Sequence, residues 1–314
     1  MSRAGTVALL GRPNAGKSTL LNALLGEKVA IVSSRPQTTR HRIAGILTES
    51  RGQALLFDLP GVHRPLNRMN AQMMHVIRET LREVDVILQL FDAEQAPGAG
   101  EAFVVGLLEG LDTPVILLPN KMDRRDAQRH LEQRRAFYTD KRAYTAVVPL
   151  SALTGRGVEE VKRTLFEQLP EGEPWLGTEY ATTQSERFFI SELIREAVLE
   201  RVEAELPFTT AVAVRQMEEE ETARGTLLRV WADIVVERNS QKAILVGRGG
   251  AMIRAVGTAA RTRIEALLGA RVYLDLLVKT HPGWREDSRF LAELNPVEVP
   301  LDELGGDSGG EEPR

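Results

Sequence analysis

The octet GRPNAGKS at 11–18 fits the pattern G-x-x-x-x-G-K-[ST], a set of residue types suited to holding a chain of phosphates. Gly11 and Gly16 let the backbone wrap tightly. Successive N–H groups through Asn14, Ala15, Gly16, Lys17, Ser18 and Thr19, with the positive end of a following helix, then point at the phosphates. Lys17 adds a full positive charge near the β/γ oxygens, and Ser18 offers a hydroxyl to Mg²⁺. A plain strand-to-helix turn would be the bland reading. The strand-like TVALLG (6–11) before the octet and the helix-like LLNALLG (20–26) after it favour the phosphate loop.

A phosphate loop does not choose a base; NKMD (120–123) does. Asp123 can accept two parallel hydrogen bonds from a guanine's N1–H and 2-amino group, and adenine has no donors in that arrangement. Asn120 and Lys121 are expected to brace the base and the phosphate loop. Alone, the tetrapeptide could merely cap a helix; its order and spacing after the octet give it weight. Between the two lies DLPG (58–61), where Asp58 can hold Mg²⁺ through water and the Gly61 N–H can reach the γ-phosphate, although in isolation it would read as a turn. SAL (151–153) supports the set, its Ser151, Ala152 and Leu153 backbone amides being placed to meet the guanine carbonyl. In QTTR (37–40), a polar stretch that could equally be a flexible loop, Thr39 is chosen over Thr38 to complete the Mg²⁺ shell when a γ-phosphate is present. The expected metal set is Ser18, Thr39 and Asp58, and the expected catalytic set Lys17, Thr39 and Gly61.

Hydrolysis needs an oriented water, yet the residue after Gly61 is Val62, which cannot hydrogen-bond to one. Slow intrinsic turnover follows, with the water placed by backbone groups, a bound cation or a partner. His63 is the tempting substitute base, disfavoured because phosphoryl transfer needs little base help.

The elements that must position these residues alternate. Apolar runs at 6–11, 54–59, 85–91, 114–120 and 146–151 read as buried strands, and stretches at 69–84, 101–111 and 158–169 have helical spacing. The first half is therefore α/β with a mostly parallel sheet. PEGEPWLGTEY (170–180) breaks the pattern, which sets a first domain at 1–172 and a linker at 173–183. The second domain, 184–298, reads helix, strand, strand, helix, helix, strand: a smaller α+β unit. Its first helix, with Ile190, Leu193, Ile194, Ala197, Val198 and Val202 on one side, stops before Pro207, and in its strands Leu228, Val230, Ala232, Ile234 and Val236, then Val272, Leu274, Leu276 and Val278, face one way. The acidic residues 299–314 lack an anchor and are expected to be disordered.

Composition narrows the class. With no cysteine, disulfide frameworks, thiolate zinc sites and cysteine nucleophiles are excluded. No apolar run approaches the ~18–20 residues needed to cross a bilayer, and no leader precedes TVALLG, so a soluble, cytosolic protein is expected. A net charge of −4 gives no global case for nucleic acid, so that case rests on local clustering. From Arg238 to Arg263, six basic residues occur without one acid. Inside the run, Gly247-Arg248-Gly249-Gly250 matches the G-x-x-G loop with which a KH domain clamps single-stranded RNA, with Lys242, Arg248 and Arg254 supplying charge. The motif alone is weak, and Arg254 and Arg261 could be a solvated helix face; the element order and the acid-free run favour RNA.

Taken together, GRPNAGKST, PQTTRHRI, DLPG followed by Val62 and His63, NKMD, SAL and QKAILVGRGGAMIRAVG resemble the Era family of bacterial GTPases over nearly the whole chain. The resemblance implies a P-loop GTPase domain followed by a type II KH domain, with GTP/GDP and Mg²⁺ as ligands. It implies a monomeric factor in small ribosomal subunit assembly that binds rRNA near the 3′ end of the small-subunit RNA and couples that binding to GTP state, with peripheral contact at the inner membrane. Leu59 stands where the family usually has threonine, and the G-x-x-G interior is Arg-Gly rather than carrying a lysine. A GTPase of tRNA modification is disfavoured because such proteins end in a cysteine-containing motif, and tandem GTPases because only one phosphate loop is present. A constitutive RNA-binding protein with a structural nucleotide is the remaining rival.

Overall fold

In the computed structural model, which describes residues 2–177, 180–223 and 225–295, the apolar runs of the first half become one six-stranded sheet. Its strands are β1 (Arg3–Leu10), β2 (Ile43–Glu49), β3 (Gly52–Asp58), β4 (Val86–Asp92), β5 (Val115–Asn120) and β6 (Ala146–Val147), in the order β2-β3-β1-β4-β5-β6. All neighbours are parallel except β2 and β3, which form a hairpin with Glu49 opposite Gly52. The sequence reading did not include β2. Its buried Ile43, Ala44, Ile46 and Leu47, followed by Ser50-Arg51-Gly52, carried the hairpin signal. The last expected strand pairs only at Ala146–Val147, and beyond it Val148 and Leu150 still donate to Leu117 and Pro119 carbonyls, which carries Ser151 to the carboxyl edge of the sheet.

Helices α1 (Lys17–Leu25), α2 (Arg68–Glu83), α3 (Ala99–Gly106), α4 (Arg125–Arg129), α5 (Leu131–Thr139) and α6 (Val158–Gln168) cover this sheet. Leu20, Leu21 and Leu24 of α1 join Val161 and Leu165 of α6 on one face, and Met74, Ile77 and Leu81 of α2 join Val104 of α3 on the other. Helix α3 is shorter than the apolar spacing suggests, and the chain turns at Gly110, whose φ is 75°.

The second half runs α7 (Glu186–Leu199), α8 (Leu206–Thr209), β7 (Ala211–Thr222), β8 (Gly225–Val236), α9 (Asn239–Val246), α10 (Ala251–Leu268), β9 (Arg271–Thr280) and α11 (Ser288–Leu294). Strand β8 is central, antiparallel to β7 and parallel to β9, which is the order of a type II KH domain. Leu228, Val230, Ala232, Ile234 and Val236 all point into the core against α7, α9 and α10, the four larger ones each contributing about 1.5–3 kcal/mol. Pro207 sits in the first turn of α8, where its missing N–H is harmless.

The halves share a seam. Met69 and Met73 of α2 pack with Ala211, Val235, Phe290, Leu291 and the fully buried Trp284, whose indole donates to Thr209 O at 2.9 Å. The described residues of 173–183 lie along β2 and β3: the Gln53 side chain bonds the backbone of Trp175 and Leu176, and Ile46 N donates to Ala181 O at 2.8 Å. Among the described residues no helix is long and apolar enough to cross a membrane. The expected tail, 299–314, and the end of 184–298 lie outside the described residues.

Candidate nucleotide-binding site

The carboxyl end of β1 delivers the loop 11–16 to the start of α1. Gly16 has φ 97°, and a Cβ there would lie 2.2 Å from Asn120 Nδ2, so only glycine brings the loop this close to the base-reading segment. Asn14 takes φ 63° and donates from Nδ2 to Ser34 O at 2.9 Å. Lys17 curls back over the loop, Nζ donating to Gly11 O (3.2 Å) and Arg12 O (3.1 Å). Its burial pushes the ammonium pKa down, with Asp58 opposing. Gly16, Lys17, Ser18, Thr19, Thr39 and Gly61 line one small cavity of about 50 Å³.

Three oxygens converge beside Lys17. Ser18 Oγ donates to Asp58 Oδ2 at 2.6 Å, Thr39 Oγ1 donates to the same oxygen at 3.1 Å, and the two hydroxyls are 2.9 Å apart. Asp58 is buried at the end of β3, and its Oδ1 has no hydrogen-bond partner. Burial pushes its carboxyl pKa up, while Lys17, Ser18 and Thr39 pull it back. A buried carboxylate with one oxygen unpartnered and two hydroxyls on the other is a donor set that fits a hard divalent cation. Thr38 is committed elsewhere, its hydroxyl donating to Arg35 O at 2.6 Å, which separates it from Thr39.

At the base end, Asn120 ties three motifs together, Nδ2 donating to Ala15 O (2.8 Å) and Oδ1 accepting from Ala152 N (3.0 Å). Lys121, at φ 67°, pairs with Asp92 at 2.6 Å. Ser151 is buried and donates to Asp123 Oδ1 at 2.7 Å. That bond is the main cause holding the Asp123 carboxyl below its ordinary range. The Leu153 side chain is 73% exposed. Val62 donates its N–H to Gly11 O at 3.1 Å and buries its side chain with Ala8 and Leu10. Both His63 nitrogens are engaged, Nδ1 with Gly61 O (2.9 Å) and Nε2 with Gln37 Nε2 (3.0 Å).

The G-x-x-G segment links α9 to α10 as a tight turn, with φ 71°, 57° and 78° at Gly247, Gly249 and Gly250. A Cβ on Gly247 would meet Met252 at 2.8 Å. Lys242, Arg248, Arg254 and Arg261 are exposed on this side. Arg263, counted with the basic run, turns inward and pairs with Glu200 (2.6 Å) and Glu196 (3.2 Å) of α7, so its charge is neutralised rather than presented.

A group of residues between the halves escaped the sequence reading. The buried Arg195 of α7 grips Glu192 with two bonds (2.7 and 2.6 Å) and donates from Nη2 to the carbonyl of Thr38, next to Thr39. On the other side of Thr39, Arg40 donates to Thr210 O and Pro207 O, both at 2.7 Å. Glu196 accepts from Val32 N at 3.0 Å and pairs with Lys28 at 2.6 Å. Burial and the neighbouring Arg195 bring Arg40 down to about 9, and burial brings His41 down to about 4. Burial pushes the Glu192 carboxyl up, but Arg195, then His41 and Arg40, outweigh it and hold it low. The available signal was charged residues at positions 192, 195 and 196 within the mostly apolar stretch 188–199.

A family described as 50S ribosome-binding GTPase matches residues 6–121, and one described as KH domain matches residues 209–285. The chain is 43% identical to GTPase Era of Geobacter metallireducens over 292 residues, 93% of this chain and 97% of the relative. It is 42% identical to GTPase Era of Heliobacterium modesticaldum, covering 90% and 94%. Among solved structures, Era in complex with MgGDPNP and nucleotides 1506–1542 of 16S ribosomal RNA superposes with a TM-score of 0.88 at 31% identity, over 94% of this chain and 99% of that one. A variant of Aquifex aeolicus Era bound to GDP and AlF4⁻ gives a TM-score of 0.86 at 31% identity, over 93% and 98%.

Proposed function

Because the chain belongs to the Era family of GTPases, we propose that it uses its nucleotide state to set how tightly its KH domain holds single-stranded ribosomal RNA near the 3′ end of the small-subunit RNA, in assembly of that subunit. It binds GTP and GDP with Mg²⁺ and hydrolyses GTP to GDP and phosphate. The observation that carries the switch is the position of Thr39: residues 38 and 40 on either side of it are held by α7 and by the α8 end of the RNA-binding half. A γ-phosphate that draws Thr39 toward its metal therefore pulls on the second domain.

In this reading Gly11, Asn14, Ala15, Gly16, Lys17, Ser18 and Thr19 hold the phosphates, and Asn120, Lys121, Asp123 and the 151–153 loop hold the guanine. Ser18, Thr39 and Asp58 hold Mg²⁺, which neutralises charge between the β- and γ-phosphates when bound. Lys17 and the Gly61 N–H stabilise charge on the γ-phosphoryl group. The 16S RNA of the superposable relative supports the small subunit, while the family description naming the 50S particle covers only the first half of this chain. A cytoplasmic, monomeric protein with peripheral contact at the inner face of the membrane extends the reading on family membership alone.

Lys242, Gly247, Arg248, Gly249, Gly250 and Arg254 form the RNA clamp in this reading. Affinity for a short single-stranded RNA of the small-subunit 3′ end, titrated with a non-hydrolysable GTP analogue and then with GDP, tests it: the expected ratio is about 5–150-fold in favour of the GTP form. Equal affinities would leave a constitutive RNA binder. Gly249→Asp places a side chain at φ 57° and a negative charge in the clamp, and is expected to abolish RNA binding while GTP binding persists.

Asp58→Ala tests the metal set. It should raise the Mg²⁺ concentration needed for tight GTP binding about 10–100-fold, the usual cost of losing an outer ligand. A fluorescent GTP analogue titrated with Mg²⁺ measures this, and an unchanged midpoint would remove Asp58 from the metal site.

A further inference from the structure

We propose that Gln37 positions the water that hydrolyses GTP and that His63 sets Gln37 in place for it; this rests on the GTPase reading above. Val62 is turned into the core and contributes nothing to such a water. Gln37 lines the same cavity as Lys17, Ser18, Thr39 and Gly61, the residues given above to the metal and the γ-phosphoryl group. Its backbone takes φ 60°, a left-handed conformation that a glutamine adopts only where its surroundings impose it, and such positions cluster at functional sites.

The hydrogen bonds fix which way its amide points. His63 Nδ1 lies 2.9 Å from Gly61 O, which can only accept, so in the neutral imidazole Nδ1 carries the proton and Nε2 a lone pair. Gln37 Nε2, 3.0 Å from His63 Nε2, must then donate to it. The Gln37 carbonyl oxygen is left as the acceptor for a water. In the step this supports, the water oxygen forms a bond to the γ-phosphorus as the bond to the β–γ bridging oxygen breaks, its electron pair leaving on GDP. One water proton passes to the product phosphate, the other remains as its hydroxyl, and Gln37 holds the water's orientation without taking a proton.

The test uses the full-length chain under single-turnover conditions. Gln37→Ala and Gln37→Gly should both slow hydrolysis on the order of 10²-fold, the scale of one positioned group at a transition state, and leave GTP affinity unchanged. The glycine variant relieves the left-handed backbone, so agreement between the two excludes backbone strain as the cause. Both should also lose affinity for GDP with AlF4⁻, which resembles the transition state, by a similar factor. His63→Leu should slow hydrolysis less, His63→Gln, which keeps an acceptor there, should restore it, and adding His63→Leu to Gln37→Ala should cost nothing further. An unchanged rate in Gln37→Ala, or a parallel fall in GTP affinity, overturns the assignment of Gln37. An additive double variant overturns the part given to His63. Failure of the unaltered chain to bind GTP would instead sink the GTPase reading.

Discussion

Arg195→Ala is expected to erase the difference in RNA affinity between the GTP and GDP forms, bringing a ratio of about 5–150-fold close to unity. Arg195 is nearly fully buried, and its guanidinium is the piece of the RNA-binding half that holds the Thr38 carbonyl. The same helix passes the constraint on: Glu196 and Glu200 bind Arg263 of α10, and α10 begins at the G-x-x-G turn. Arg40 Nε and Arg195 Nη1 are buried without partners in this arrangement, so the seam keeps donor capacity for a second one. Stability must be separated from coupling, because removing Arg195 strands Glu192 as a buried carboxylate at a cost of about 3–5 kcal/mol. Changing both residues to methionine restores packing without the ion pair and should return most of that stability, yet not the nucleotide dependence. Fluorescence anisotropy with labelled RNA, read beside thermal melts, distinguishes the two. A double variant that still switched would show that coupling runs elsewhere.

Asp123→Asn is expected to lower GTP affinity about 30–1,000-fold, because one of two charge-assisted hydrogen bonds is lost and the other becomes neutral, about 2–4 kcal/mol together. The Ser151 bond on Oδ1 orients the carboxyl and keeps it ionised, and the asparagine carbonyl can take that same bond, so the loop should survive the change. The amide offers a donor where the carboxylate offered an acceptor. Xanthine carries an oxygen where guanine carries the 2-amino group, so affinity for xanthosine triphosphate should rise as affinity for GTP falls. Competition against a fluorescent guanine nucleotide measures both, and equal weakening toward the two bases would deny Asp123 a role in reading them.

The nucleotide site was legible in the sequence because each motif is a short local segment whose backbone does much of the work, and the order of the segments along a parallel sheet brings them to one edge. Asn120 shows the limit: its residue type was readable, but its bridge from Ala15 O to Ala152 N requires three distant loops to meet. Strand β2 went unread because Gly45 interrupts a short apolar run that follows a polar stretch. The seam was less legible still. Arg195 and Glu192 lie three residues apart on a helix whose middle and end are mostly apolar, and nothing local says that the guanidinium reaches a carbonyl 157 residues away in the chain. Gln37 was read as part of a polar loop, since its contact with His63 depends on how two separate loops close.

The segment crossing β2 has a consequence for self-association. Strand β2 is an outer strand of its sheet, and a bare outer strand is a template on which another chain can add. Here the Ile46 N–H is taken by Ala181 and the Ala44 carbonyl by Thr182, so the connection between the halves also closes that border. One outer strand of the other sheet, β7, is guarded differently, by the run Glu218 to Glu221, whose charges repel a like strand. Cutting the chain at the connection would thus do more than separate two domains: it would strip the cover from the β2 border of the first sheet and leave it open to aggregation, while the β7 border of the second would keep its own protection.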